Sequence, residues 1–171
     1  MKPVYIVISA LLFFVTSCKK DKNTADSFQL TVGNTSFTFD STYAIVDNGN
    51  PSAYFFSILG KDTKTNTVFF INAQSVPKNN LAGTYSNSVS TQLSQFNKLD
   101  ATLIITTGSL TGTYSTSNHF TFTLEIDNPG NDRLQGNFRG LLELTPNPNP
   151  GNPQSTDIIT GQFKIPFKFV P

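Results

Sequence analysis

Tryptophan is absent and charge is scarce. Asp, Glu, Lys and Arg make up 13% of the 171 residues, against ~25% in an average soluble domain. The chain has one histidine, His119, one cysteine, Cys18, and two glutamates, Glu125 and Glu143. Each shortage removes a class of chemistry. A single cysteine excludes an internal disulfide framework, and with one histidine it excludes a zinc site built from several Cys and His ligands. A Ser-His-Asp triad would have to use His119 as its base, and no G-x-S-x-G elbow accompanies it. A glycosidase would need two placed carboxylates. Glu125 and Glu143 both fall on polar strand faces, where solvated glutamates are ordinary. All acidic residues and all basic ones but Lys2 lie after residue 17, so that part carries no formal net side-chain charge. It has no basic field for nucleic acid. No run reaches the ~20 apolar residues that a membrane-spanning helix needs. These absences disfavour a hydrolase, and neither an enzyme nor a cofactor is expected.

What the chain does have is phenylalanine, 16 of them, set in alternating runs. Phe28, Leu30 and Val32 alternate with polar residues. Gly33-Asn34 marks a turn, and Phe37 and Phe39 resume the period. A short strand is expected at 42–46. Residues 52–60 and 67–73 are apolar on both alternating sets, so they are covered on both faces or expose a patch. The irregular stretch 74–99 is expected to hold short strands at 84–86 and 89–96 and to pack over the second face of the 52–73 hairpin. Residues 101–107 read as a strand, and Leu110 to Tyr114 as a shorter one. Phe120, Phe122, Leu124 and Ile126 share a face. So do Leu134, Gly136, Phe138, Gly140, Leu142 and Leu144, with the two glycines marking bulges or close backbone approaches. Phe163, Ile165, Phe167 and Phe169 point inward. Pro166, which lacks a ladder donor, suggests an edge strand or a bulge.

The spacing predicts an all-β single domain, an antiparallel β-sandwich or open β-barrel of about 8–10 strands. Most of the phenylalanines are needed for its core. Asp127, Asn128 and Asp132 gather oxygen ligands in one turn and are a calcium candidate, although turn chemistry explains the same composition.

The first residues have a different character. Lys2 precedes the apolar run Val4 to Val15, which is too short to span a bilayer as a helix. Val15-Thr16-Ser17-Cys18 follows and resembles a bacterial lipobox. That resemblance implies a signal peptide over 1–17 that is removed, lipidation of Cys18, a flexible tether over 18–26 and a β domain over 27–171. The motifs Gly83-Thr84-Tyr85, Leu134-Gln135-Gly136-Asn137-Phe138 and Ile159-Thr160-Gly161-Gln162-Phe163 add to this. Their order is similar to that in small uncharacterised β-rich lipoproteins of Bacteroidota. The resemblance implies attachment to the cell envelope, at the outer membrane, and carries no accepted activity or cofactor. Asp40-Ser41-Thr42 is similar to the sequences at which such bacteria O-glycosylate exported proteins, with Ser41 as acceptor. The expected partners are a membrane, through the lipid anchor, and an envelope protein or glycan. Two functions fit: a non-catalytic binding or structural module, or a lipocalin-like carrier of a small apolar ligand. The carrier requires an empty, Phe-lined interior.

Overall fold

The computed structural model describes residues 26–47, 49, 53–77, 81–87, 99–127, 132–146 and 151–170, with backbone alone for 53, 54 and 75–77. Cys18, Asn128 and the strand expected at 89–96 lie outside the described residues, as do 78–80 and 88–98 of the segment expected to cover the hairpin. The described chain is all-β. Its strands are β1 (Ser27–Val32), β2 (Thr35–Thr38), β3 (Ser41–Asp47), β4 (Ala53–Asp62), β5 (Thr67–Pro77), β6 (Gly83–Ser86), β7 (Leu99–Ile105), β8 (Gly112–Ser115), β9 (Phe122–Ile126), β10 (Arg133–Gly140), β11 (Glu143–Leu144) and β12 (Ile159–Val170).

Ten strands follow one hydrogen-bonded path, β11–β8–β7–β5–β4–β3–β12–β10–β9–β6, which curls into a half-barrel. The β1–β2 hairpin branches from β12. Among the described residues every pairing is antiparallel except one: Phe167–Val170 of β12 run parallel to Ala44–Asp47 of β3. The alternating sequence specifies strands and faces, but it carries no signal for this crossover.

The long strand β12 joins two wings. Its first half lies between β1 and β10; past Pro166 the partner on the β1 side becomes β3. Pro166 therefore sits in an interior strand, not at an edge. The last residue of β12 facing β1 is Lys164 and the first facing β3 is Phe167, so proline falls in the gap where no donor is needed on that side. Gly140 splits the run expected to continue from Leu134 to Leu144. Beyond it the chain leaves β9 and β12, and β11 pairs with β8 at the far end of the path. A Cβ on Gly140 would lie 2.4 Å from the Thr121 carbonyl oxygen, so the expected close approach is there. Gly136 is in register with both neighbours and marks no bulge. Phe120 lies before β9 and is half-buried rather than on its inner face.

The core fills the space between the wings. Phe28 centres it, with ring centroids 4.7 Å from Phe39, 6.1 Å from Phe69, 5.9 Å from Phe138 and 6.0 Å from Phe163. Phe69 of one wing lies 5.0 Å from Phe138 of the other. Phe28, Phe56, Phe69 and Phe122 are fully buried. Gly33 makes the β1–β2 turn at φ 57°, a conformation that favours glycine. Tyr85 is buried as well. Its hydroxyl donates to the Leu81 carbonyl at 2.8 Å, and burial pushes its pKa up to about 12.

Candidate functional site: a polar outer face and a carboxylate–histidine pair

Because side chains alternate along each strand, the apolar inner face of β1, β12, β10 and β9 leaves a fully polar outer one. Register aligns it in rows. Ser27, Lys164 and Gln135 form one, continued by Asp127, whose N–H donates to the Gln135 carbonyl at 3.0 Å. Gln29, Gln162, Asn137 and Glu125 form the next, and Thr31, Thr160, Arg139 and Thr123 a third. No aromatic residue stands in these rows. Amides bridge neighbouring strands: Gln162 Nε2 donates to Gln29 Oε1 at 3.3 Å, Asn137 Nδ2 to Glu125 Oε2 at 3.3 Å and Gln135 Nε2 to Asp127 Oδ2 at 3.2 Å. All three bonds are exposed to water, so each contributes only about 0.5–1.5 kcal/mol. They orient the amides yet can be exchanged for bonds to a ligand.

The face is not flat. A depression of about 310 Å³ opens in it, lined by Ser27, Asp127, Gln135, Gln162 and Lys164, with Gly136 and Phe163 completing the wall. One ammonium, one carboxylate, two amides and a hydroxyl thus converge on one hollow. At the same end Asp26 forms an ion pair with Arg133, so the chain enters the fold beside the depression.

His119 and Glu143 make a second constellation. His119 Nδ1 lies 2.7 Å from Glu143 Oε2; the histidine side chain is 52% exposed and the glutamate 9%. Alternation assigned Glu143 correctly to the outer side of β11, opposite Ser115. It could not show that His119 and the Ser155 bridge fold over it. The pair holds the loop before β9 against β11. Asn87 fixes the same loop, donating through Nδ2 to the carbonyls of Ser117 and Phe120, each at 2.9 Å, and accepting the Phe122 N–H at 2.7 Å. Glu125 and Glu143 do not meet, since β9 and β11 are not paired.

The calcium candidate is only partly in view. Asp127 is engaged by Gln135, and Asp132 is exposed, its carbonyl accepting the Phe167 N–H at 3.3 Å. Among the described residues, no three His, Cys, Asp or Glu side chains gather as a metal site. Ser41 opens β3 and is exposed. Its neighbour Asp40 accepts the Thr63 N–H at 3.1 Å and the Thr63 hydroxyl; that hydroxyl, first among the causes, holds its pKa below the ordinary value. Of the tyrosines, Tyr43 is exposed and Tyr85 is not, so Tyr85 is no surface platform.

Sequence reasoning missed the depression and the pairing of His119 with Glu143. Both depend on which strands become neighbours. Among the described residues no helix is long and apolar enough to cross a membrane. No family model, curated protein or solved structure matches this chain.

Proposed function

We propose that this chain is a membrane-anchored envelope lipoprotein whose β domain is a non-catalytic binding module, and that the outer face of β1, β12, β10 and β9 receives a hydroxyl-rich ligand, a glycan. The depression lined by Lys164, Asp127, Gln135 and Gln162 carries the reading. Planar amides donate to and accept from adjacent hydroxyls, a carboxylate accepts from them in pairs, and an ammonium adds donors without a preferred direction. The packed interior supports a ligand on the outside rather than one carried between the wings, because Phe rings 4.7–6.5 Å apart occupy that space.

The ligand face is tested by titrating the purified full-length protein with a panel of soluble neutral and acidic oligosaccharides, followed by amide chemical-shift changes. Binding should perturb residues of β10 and β12. Gln135→Ala and Lys164→Ala should each weaken it at least about tenfold, the equivalent of ~1.4 kcal/mol. Binding that ignores both substitutions, or no binding across the panel, would dismiss this face as the site.

The anchor is tested separately. Cys18→Ala should leave the domain folded and move it from the membrane fraction to the soluble fraction, because acyl chains on Cys18 hold the unsubstituted protein on the bilayer. A variant that still carries acyl chains by intact-mass analysis is incompatible with lipidation at Cys18.

A further inference from the structure

The two wings differ on their outer sides. The outer side of an antiparallel sheet in contact with water normally reads polar. That of β3, β4, β5 and β7 carries Tyr43, Ile45, Leu59, Val68, Phe70 and Ile104 instead. Tyr43 is 46% exposed, and the other five are half-buried. Register sets these side chains in rows. Tyr43, Leu59, Phe70 and Thr102 form one; Lys168, Ile45, Ser57, Asn72 and Asp100 form the next. The second row is apolar or neutral in the middle and carries opposite charges at its two ends. Lys168 stands two strands to one side of β4, and Asp100 two strands to the other.

We infer that this face binds a second copy of the chain, in a two-fold dimer whose axis lies along β4. A two-fold interface brings the same patch together from both subunits, so a patch that fits must complement itself. Rotation about β4 lays β3 on β5 of the second copy and β12 on β7. Tyr43 then meets Phe70 of the second copy, Leu59 meets its own counterpart, and Lys168 meets Asp100 at both edges. A carboxylate accepts several hydrogen bonds, so Asp100 keeps its contacts within its own chain. Lys61, also on β4, stands at the end of the face, where its long stem carries the ammonium to solvent.

The size of the face sets the strength of the contact. Five strands, each about 4.8 Å wide, and six residues along β4 give roughly 24 by 20 Å. At about 480 Å² per partner it falls among the small, transient interfaces that bury less than ~1,200 Å² in total. The dimer is therefore reversible and depends on concentration.

Sedimentation velocity of the full chain carrying Cys18→Ala, across a dilution series, tests this without a micelle holding copies together. A monomer–dimer equilibrium is expected. Leu59→Arg should raise its dissociation constant at least about thirtyfold, the loss typical of a central interface residue, while circular dichroism confirms that the variant is folded. Lys168→Asp and Asp100→Lys should each weaken association about five- to tenfold, and the double exchange should restore it. A monomer at every concentration overturns the inference, and so does a dimer indifferent to Leu59→Arg. Two weak single variants without restoration in the double overturn the β4 axis. Binding of the same chain to phosphatidylethanolamine–phosphatidylglycerol vesicles, lost with Leu59→Arg in the absence of any dimer, would assign the face to lipid instead.

Discussion

Phe28→Ala should destabilise the domain by about 3–5 kcal/mol. Urea denaturation will report this as a lower midpoint with an unchanged slope. The magnitude follows from where the ring sits. Phe28 is fully buried and lies within 6.1 Å, centroid to centroid, of Phe39, Phe69, Phe138 and Phe163. Those rings come from β5, β10, β12 and the turn before β3, so truncation opens a void where both wings converge. None of these neighbours can slide in to close it without leaving its own place in its strand. The loss is a large share of the ~5–15 kcal/mol that holds a typical domain together. Phe169→Ala is the control. Alternation set Phe169 inward, but its side chain is 51% exposed; with its neighbour Phe167 5.3 Å away, its loss should cost about 1 kcal/mol. Equal losses at the two positions would mean that the aromatic cluster is not the centre of the fold.

That centre was legible in the sequence because period-two alternation carries it. Phe28, Leu30 and Val32 were set on one side of their strand from spacing alone, and all three are buried. Residues 52–60 and 67–73, apolar on both alternating sets, left open which side of β4 and β5 faces inward, and the fold turns Phe56, Ile58, Phe69 and Ile71 to the core. Register and neighbour choice were not legible. A strand with the pattern of β12 is satisfied by any partners that cover one of its sides. Only the folded chain shows that its partner changes from β1 to β3 at Pro166. The missing donor at that proline was read correctly, but an edge or a bulge was inferred where an interior strand changes partners. The break at Gly140 was hidden for a similar reason. Leu142 and Leu144 continue the apolar period of β10, so alternation cannot say that the chain has moved on to β8.

The candidate site divides along the same line. Its residue types were visible as the outer members of alternating strands. Their convergence was not, because Lys164, Gln135 and Asp127 come from β12, β10 and the end of β9, which become neighbours only through register. Glu143 shows the opposite case. Its side of the strand was right but its burial was not, since the chain that covers it comes from 24 residues earlier, at His119.

Gly161→Ala should cost about 3 kcal/mol or more, at the upper end of what one added carbon does in a packed core. Gly161 lies in β12 between Leu30 of β1 and Phe138 of β10. A Cβ there would stand 2.1 Å from the Phe138 ring and 2.4 Å from the backbone oxygen of Gln29. Gly161 is not among the residues with positive φ, so the expected loss is steric and owes nothing to backbone strain. The two obstacles differ in kind. The ring belongs to a side chain that could be shortened, whereas the oxygen belongs to the β1 ladder and moves only if the ladder moves. A double-mutant cycle separates them. Phe138→Leu alone should cost about 1–2 kcal/mol, because it thins the cluster around Phe69 without emptying it. Combined with Gly161→Ala, the total should fall short of the sum by at least about 1 kcal/mol, since the shorter side chain vacates the space that the new methyl enters. It should not return to the stability of Phe138→Leu, because Gln29 still stands in the way. Strict additivity would mean that ring and methyl never competed. Full recovery would mean that β1 yields freely, and that the glycine is required only by the aromatic ring laid across it.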